Sequence, residues 1–225
     1  MKKTHFAALF ALITAFSACQ EDVPPPPPTS TASYMNVTAG STWNYEQINN
    51  TPPVATTQYT LSSTNRDTTV DGESFHVYTN SSTSASEYYR ISGSDYYTYQ
   101  SLPAAVGGAK VKNLYLKAAA AVGTSWPQVY NITFSGLPVS VTVTHRIEER
   151  GLTKTVNSIT YNDVIHVKTD IAVAGVPASA LTSDIHSYYA PNAGIIENTN
   201  KINLNYFGVV SNTDITTRLK TAVLL

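Results

Sequence analysis

Apolar and polar residues alternate one by one over long stretches of this chain, and that pattern leaves few folds open. Val139, Val141, Val143 and Ile147 alternate with Ser140, Thr142, Thr144 and Arg146. Ile165, Val167, Ile171 and Val173 alternate with His166, Lys168 and Asp170. Ile202, Leu204 and Tyr206 alternate with Asn203 and Asn205, and Ile215, Leu219 and Val223 with Asp214, Arg218 and Ala222. Period two is the strand period, so each segment has one apolar and one polar face, as in an antiparallel sheet with one wet side. Turn signals separate the segments: Asp71-Gly72, Ser92-Gly93-Ser94, Gly107-Gly108, Gly136-Leu137-Pro138, Gly151, Asn162-Asp163, Pro191-Asn192 and Gly208. The 30 threonines and 15 tyrosines, with only 13% charged residues, favour the same structure, because β-branched and aromatic side chains suit a pleated half-buried surface. No long amphipathic helix can be drawn. Asn113 to Lys117 reads as a strand and Ala118 to Ala121 as a connector, since the alanine block runs straight into Gly123. The expectation is one all-β domain over residues 34–225, an antiparallel sheet curved strongly enough to form an unclosed or closed β-barrel. Cys19 is the single cysteine, so the domain has no disulfide and depends on its core.

The chain also resembles itself. Gly40-Ser41-Thr42-Trp43 recurs as Gly123-Thr124-Ser125-Trp126, Phe75-His76-Val77 as Ile165-His166-Val167, and Tyr88-Tyr89 as Tyr188-Tyr189. The order of these features is shared, so a duplication of residues 34–110 and 111–225 is expected, each copy supplying one antiparallel meander. Thr- and Tyr-rich strands match one another easily, which is the competing explanation.

At the N-terminus, Lys2 and Lys3 precede an apolar run from Phe6 to Phe16, followed by Ser17, Ala18 and Cys19. That is the layout of a secretory signal, and the run is too short for a bilayer about 30 Å thick. An ordinary signal would leave a free thiol at the cleavage point of an exported chain. The segment resembles the lipobox of bacterial lipoproteins. The resemblance implies a signal peptide over 1–18, cleavage before Cys19, and a diacylglyceryl thioether plus an N-acyl chain at Cys19. Two or more acyl chains meet the requirement for stable attachment to a membrane. Gln20, Glu21 and Asp22 follow, then Pro24 to Pro28, which fix φ and lack N–H donors. Residues 19–33 therefore read as a spacer, stiff over its polyproline part at about 3.1 Å per residue. The acidic cluster resembles the one that accompanies surface display in some Gram-negative lipoproteins; otherwise it simply keeps the spacer hydrated.

Gly-Ser-Thr-Trp-Asn-Tyr at 40–45 and Ser-Tyr-Tyr-Ala-Pro-Asn-Ala-Gly-Ile-Ile-Glu at 187–197 resemble poorly characterised bacterial outer-membrane lipoproteins. Some of these look like the unclosed barrels of LolA/LolB-type carriers, a curved sheet around an apolar cavity. The resemblance implies an outer-membrane location and brings no catalytic residues. The chain departs from those carriers in lacking a plug helix.

Signals for chemistry are sparse. Four histidines follow the signal: His76, His145, His166 and His186. None pairs at a zinc-ligand spacing and no thiol accompanies them, although His166 and His186 would meet on adjacent strands. There is no Gly-x-Ser-x-Gly. Glu148-Glu149 and Asp67/Asp71/Glu73 fall at hairpin ends, where carboxylates face water. Gly107-Gly108 is followed by neither Lys-Ser/Thr nor a helix. No catalytic residue, metal or other cofactor is expected, and a net charge of −1 leaves no electrostatic reason to hold nucleic acid. Tyr88, Tyr89, Tyr96, Tyr97 and Tyr99 crowd together. Residue parity sorts them into Tyr88/Tyr96 and Tyr89/Tyr97/Tyr99, one set inside and the other exposed, lining a groove or packing across strands in water. The expected function is a lipid-anchored, non-catalytic binding module or carrier with an apolar or glycan ligand in a concave β surface. A structural or surface-interaction lipoprotein without a small-molecule site is the alternative. A hydrolase would require a clustered Ser/His/Asp or a carboxylate pair in a cleft.

Overall fold

The computed structural model describes residues 32–102, 108–134 and 137–225. The leader, Cys19 and the spacer up to residue 31 lie outside the described residues. Twelve strands follow in order: β1 (Thr42–Asn49), β2 (Ala55–Val70), β3 (Glu73–Asn80), β4 (Ser86–Ser92), β5 (Asp95–Ser101), β6 (Lys110–Lys117), β7 (Ser125–Phe134), β8 (Leu137–Val156), β9 (Ile159–Val173), β10 (Leu181–Ala190), β11 (Gly194–Tyr206) and β12 (Val209–Val223). All join one sheet in the order β6-β5-β4-β3-β2-β1-β12-β11-β10-β9-β8-β7, and the pairings are antiparallel. The alternation thus yields an all-β chain, nearly closed into a barrel. As expected, β6 ends at Lys117 and the alanines form a connector.

Closure happens in two unlike ways. β12 returns to β1 by backbone pairing, from Thr42↔Val223 to Asn49↔Ile215. β6 and β7 are neighbours in sequence and sit at the two free edges of the sheet. There, side chains of one inward row of β7 reach the backbone of β6. Trp126 Nε1 donates to the Leu114 carbonyl at 2.8 Å, the Gln128 amide accepts from Leu114 N at 2.8 Å, and the Tyr130 hydroxyl donates to the Lys112 carbonyl at 2.9 Å. Pro127 stands in this edge strand, where a missing N–H costs a ladder nothing. An unsealed seam is therefore stitched rather than left as a bare edge.

Because the strands run alternately up and down, the connections sort to two ends. The base carries both chain termini and the β2/β3, β4/β5, β6/β7, β8/β9 and β10/β11 turns. The mouth carries the other six connections. Two buried clusters fill the interior: an aromatic-rich one with Tyr34, Trp43, Tyr78, Tyr96 and Tyr189, and an aliphatic one with Ile132, Val141, Ile171, Ile202 and Leu204. Each such side chain contributes about 1.5–3 kcal/mol on burial.

The base is stoppered by a strap, residues 33–37, not by a helix. Asn192 N donates to Ser33 O at 2.6 Å, so Ser33, assigned to the spacer from sequence, is already docked. Tyr34 is 1% exposed; its N–H donates to the Tyr96 hydroxyl at 2.9 Å and its hydroxyl to Asp163 O at 3.0 Å. The Tyr78 hydroxyl donates to Asn36 O at 2.6 Å, and Ser63 Oγ to Val37 O at 3.1 Å. Gly194, at φ 72°, lets the chain pass: a Cβ there would lie 3.4 Å from Tyr34 O.

The two six-strand halves share local geometry at their starts. Gly40 N donates to Ser63 O and Gly123 N to Ile147 O, at 2.9 and 2.8 Å; Ser41 N donates to Thr38 O and Thr124 N to Ala121 O, both at 3.1 Å. Asp67 lies opposite His76 on β2/β3, and Glu149 opposite His166 on β8/β9.

Candidate functional site

Between the two clusters runs a belt of uncharged polar side chains, one or two from each of seven adjacent strands: Thr98 (β5), Asn113 (β6), Gln128 (β7), His145 (β8), Thr169 (β9), Ser187 (β10) and Asn198 with Asn200 (β11). They point inward for the reason that the aliphatic residues do. On β8, His145 has the parity of Val141, Val143 and Ile147; on β9, Thr169 has that of Val167 and Ile171.

The belt is hydrogen-bonded across strands and across the seam. Gln128 Nε2 donates to Asn113 Oδ1 at 2.9 Å. His145 Nε2 lies 2.9 Å from the same oxygen and its Nδ1 2.8 Å from Thr169 Oγ1. These partners suit a neutral ring with the proton on Nε2 and Thr169 donating to Nδ1. Burial is the cause that keeps it neutral: the His145 pKa is depressed to about 4. Asn198 Nδ2 donates to Ser187 Oγ at 3.0 Å.

The belt surrounds a cavity of about 290 Å³. Its floor is Tyr34 and Met35 of the strap, its walls include Tyr89, Tyr115 and Tyr189, and Leu102, Val143 and Ile171 reach it from the aliphatic cluster. Among the described residues no Asp, Glu, Lys or Arg lines it. Desolvation raises the pKa of Tyr89 and Tyr115 well above 10 and takes Tyr189 to about 12, so these hydroxyls keep their protons. Trp43 and Asn200, which also line the cavity, each carry a buried polar atom without a partner, Nε1 and Oδ1. Such groups are uncommon in folded interiors and are ones that a ligand or an ordered water would satisfy.

The tyrosines sort differently from the expectation. Tyr89 and Tyr96 face inward; Tyr88, Tyr97 and Tyr99 face outward, with Tyr88 against Tyr99 at 6.3 Å and Arg90 over Tyr97 at 5.2 Å. The two-residue turn makes Ile91 oppose Tyr96 and Tyr89 oppose Thr98, so the inward row is odd-numbered on β4 and even-numbered on β5. Parity carried across a hairpin without its turn geometry swaps a strand's faces.

The histidines divide as well. His145 is buried in the belt. His166 and His186 do meet on adjacent strands, Nε2 to Nδ1 at 2.8 Å, within a chain from Glu149 Oε2 (3.0 Å from His166 Nδ1) to Asp184 Oδ1 (2.9 Å from His186 Nε2). Among the described residues no group of three or more His, Cys, Asp or Glu is placed to hold a metal. Glu148 pairs with Arg146, and Glu73 with Lys112 at 2.8 Å and Arg90 at 3.6 Å.

One Ser/His/Asp cluster does form: Ser63 Oγ is 2.9 Å from His76 Nε2, and His76 Nδ1 is 2.8 Å from Asp67 Oδ1. Sequence reading missed it because the bulge between Ser63 and Asp67 brings both to one histidine. It ties the β2/β3 pair to the strap through the Val37 carbonyl. Ser63 is 4% exposed, and its hydroxyl has two acceptors in reach: the Val37 carbonyl at 3.1 Å and, when Asp67 takes the Nδ1 proton of a neutral ring, His76 Nε2 at 2.9 Å. The nearby Gly40 and Ser63 N–H groups are bonded to the Ser63 and Ser41 carbonyls, which leaves neither to stabilise an oxyanion.

No protein-family model matches the chain, and no curated protein matches it in sequence. Two solved structures match the chain, the first of them similar in fold. One, named a "putative lipoprotein" of Parabacteroides distasonis, is 13% identical with a TM-score of 0.51, over 85% of this chain and 99% of that one. The other, from Bacteroides fragilis and named an exported protein with a YmcC-like fold, is 10% identical with a TM-score of 0.43 over the same shares. Neither name refers to LolA/LolB carriers.

Proposed function

We propose that this chain is a lipid-anchored, non-catalytic envelope protein that holds a small uncharged amphiphile inside its barrel. The belt carries the reading: neutral amide and hydroxyl groups, set between two apolar clusters, surround about 290 Å³ with no ionised side chain. An apolar ligand bearing hydroxyl, carbonyl or amide groups matches such a lining, and so does a sugar ring over tyrosine. A charged ligand would be buried without a counter-charge. The lipobox at Cys19, the short leader and the proline spacer support the anchor, and the name of the Parabacteroides structure agrees with it.

Two measurements test this. Native mass spectrometry of the protein purified from its own host is expected to show an added mass that gentle collisional activation removes; bare protein alone, from cells in which it is membrane-attached, would end the interior-ligand reading. Separately, Cys19→Ser should move the protein out of the membrane fraction. A variant that still pellets with membranes would locate the anchor elsewhere.

A further inference from the structure

The two ends of the barrel differ in charge. No Asp, Glu, Lys, Arg or His occurs in residues 47–65, 77–86, 96–109, 125–144, 171–183 or 202–213. These six stretches contain the six connections at the mouth. The base has Asp71, Asp95, Lys117, Lys220 and others in or beside its turns. Among the described residues the β1/β2, β3/β4, β9/β10 and β11/β12 loops hold no ionisable group, in a chain that is 13% charged, and Lys110 at the start of β6 is the one charged residue directly beside a mouth connection.

One loop of that rim breaks a rule of turn chemistry. Tyr206 pairs with Val209 across a two-residue turn, Phe207-Gly208, with φ 47° and 79°. Two positive φ values call for Asn or Asp at the first position. The comparable turns at the base obey, with Asp71-Gly72 (50°, 79°) and Asn157-Ser158 (47°, 67°). Phe207 is instead a bulky residue in the left-handed region, 89% exposed, its ring meeting Tyr206 at 4.3 Å. It serves neither the turn nor the core. Val210 (74%) and Val209 (43%) are exposed on the same hairpin. The tip is held in place: the Tyr206 hydroxyl donates to Gly175 O at 2.8 Å and Asn205 N to Ala180 O at 2.8 Å.

We infer that the mouth docks on an electrically neutral lipid surface, with Phe207 as the inserted wedge. A partner protein is matched and oriented by charged and arginine-bearing rims, which this end lacks. An anionic surface is attracted by clustered Lys and Arg, and this end has Lys110 alone beside its loops. A zwitterionic interface asks only for a firmly held apolar tip, and aromatic rings settle at that depth. The inference stands whether or not the interior holds a ligand.

The test uses a chain that starts at residue 20. It lacks the leader and the acylated cysteine but keeps every core, strap and seam contact described above. It should float with phosphatidylcholine vesicles, and equally well with vesicles containing phosphatidylglycerol. Phe207→Asn should weaken binding roughly tenfold to a hundredfold, the range for withdrawing one phenyl ring from apolar surroundings. The same variant should melt at the same temperature or higher, because Asn suits the turn. Val122→Asn, at an exposed position on the base, should bind like the parent. Unchanged flotation of Phe207→Asn, a fall in its melting temperature, or no flotation of the parent would each overturn the inference; the last, with a stoichiometric protein recovered on the mouth, would assign that end to a protein partner.

Discussion

Tyr34→Ala is expected to destabilise the protein by about 3–5 kcal/mol, the range for deleting a buried aromatic side chain. Tyr34 is 1% exposed, sits edge-on to Tyr96 at 6.4 Å, and bonds the β8/β9 end of the barrel through Asp163. Its removal leaves a hole at the floor of the existing cavity, lined by rings that cannot collapse because each is tied by its hydroxyl: Tyr45 to Ile195 O, Tyr78 to Asn36 O and Tyr115 to Met35 Sδ. Tyr34→Phe keeps the ring and loses the Asp163 bond, so it should cost about 1 kcal/mol. Urea denaturation separates the two. A loss below about 1 kcal/mol for Tyr34→Ala would mean that the strap is not part of the core, and the barrel would have to be regarded as open at its base.

Acid should destabilise the protein through His145. Its folded pKa of about 4 lies below the unfolded value of about 6.5, so between these limits the unfolded chain binds a proton that the native state refuses. Stability from this source is complete above about pH 6.5, declines as pH falls and levels off near pH 4. The full loss is about 3 kcal/mol. Burial also depresses His166, opposed by Glu149, and adds a contribution of the same sign. His145 is therefore isolated by difference. In His145→Gln the slope of stability against pH over 4–6.5 should be shallower than in the parent, even if the variant is less stable throughout. Equal slopes would show that His145 is solvated when folded and that the belt is not dry.

The seam shows why part of the site could not be read in advance. Trp126 was visible as half of a repeated Gly-x-x-Trp, but its partner, the Leu114 carbonyl, is reached across two free strand edges. Gln128 had no signal of its own; its amide acts as a missing backbone group for β6. His145 did have a signal, since it shares the parity of Val141, Val143 and Ile147 and so faces the core. The Tyr88–Tyr99 cluster failed because parity was trusted across a turn that reverses it.

Strand identity, the antiparallel habit and the charge-free stretches were determined by the sequence alone, because each depends on neighbours a few residues away; of the turn signals, Gly151 and Asn162-Asp163 lie inside β8 and β9, whose turn is Asn157-Ser158. Tertiary structure alone decided which rows look inward, where the sheet closes by backbone and where by side chains, and that the strap at 33–37 seals the base. Those depend on register between strands as far apart as β1 and β12, and a shift of one residue exchanges the faces without altering any local pattern.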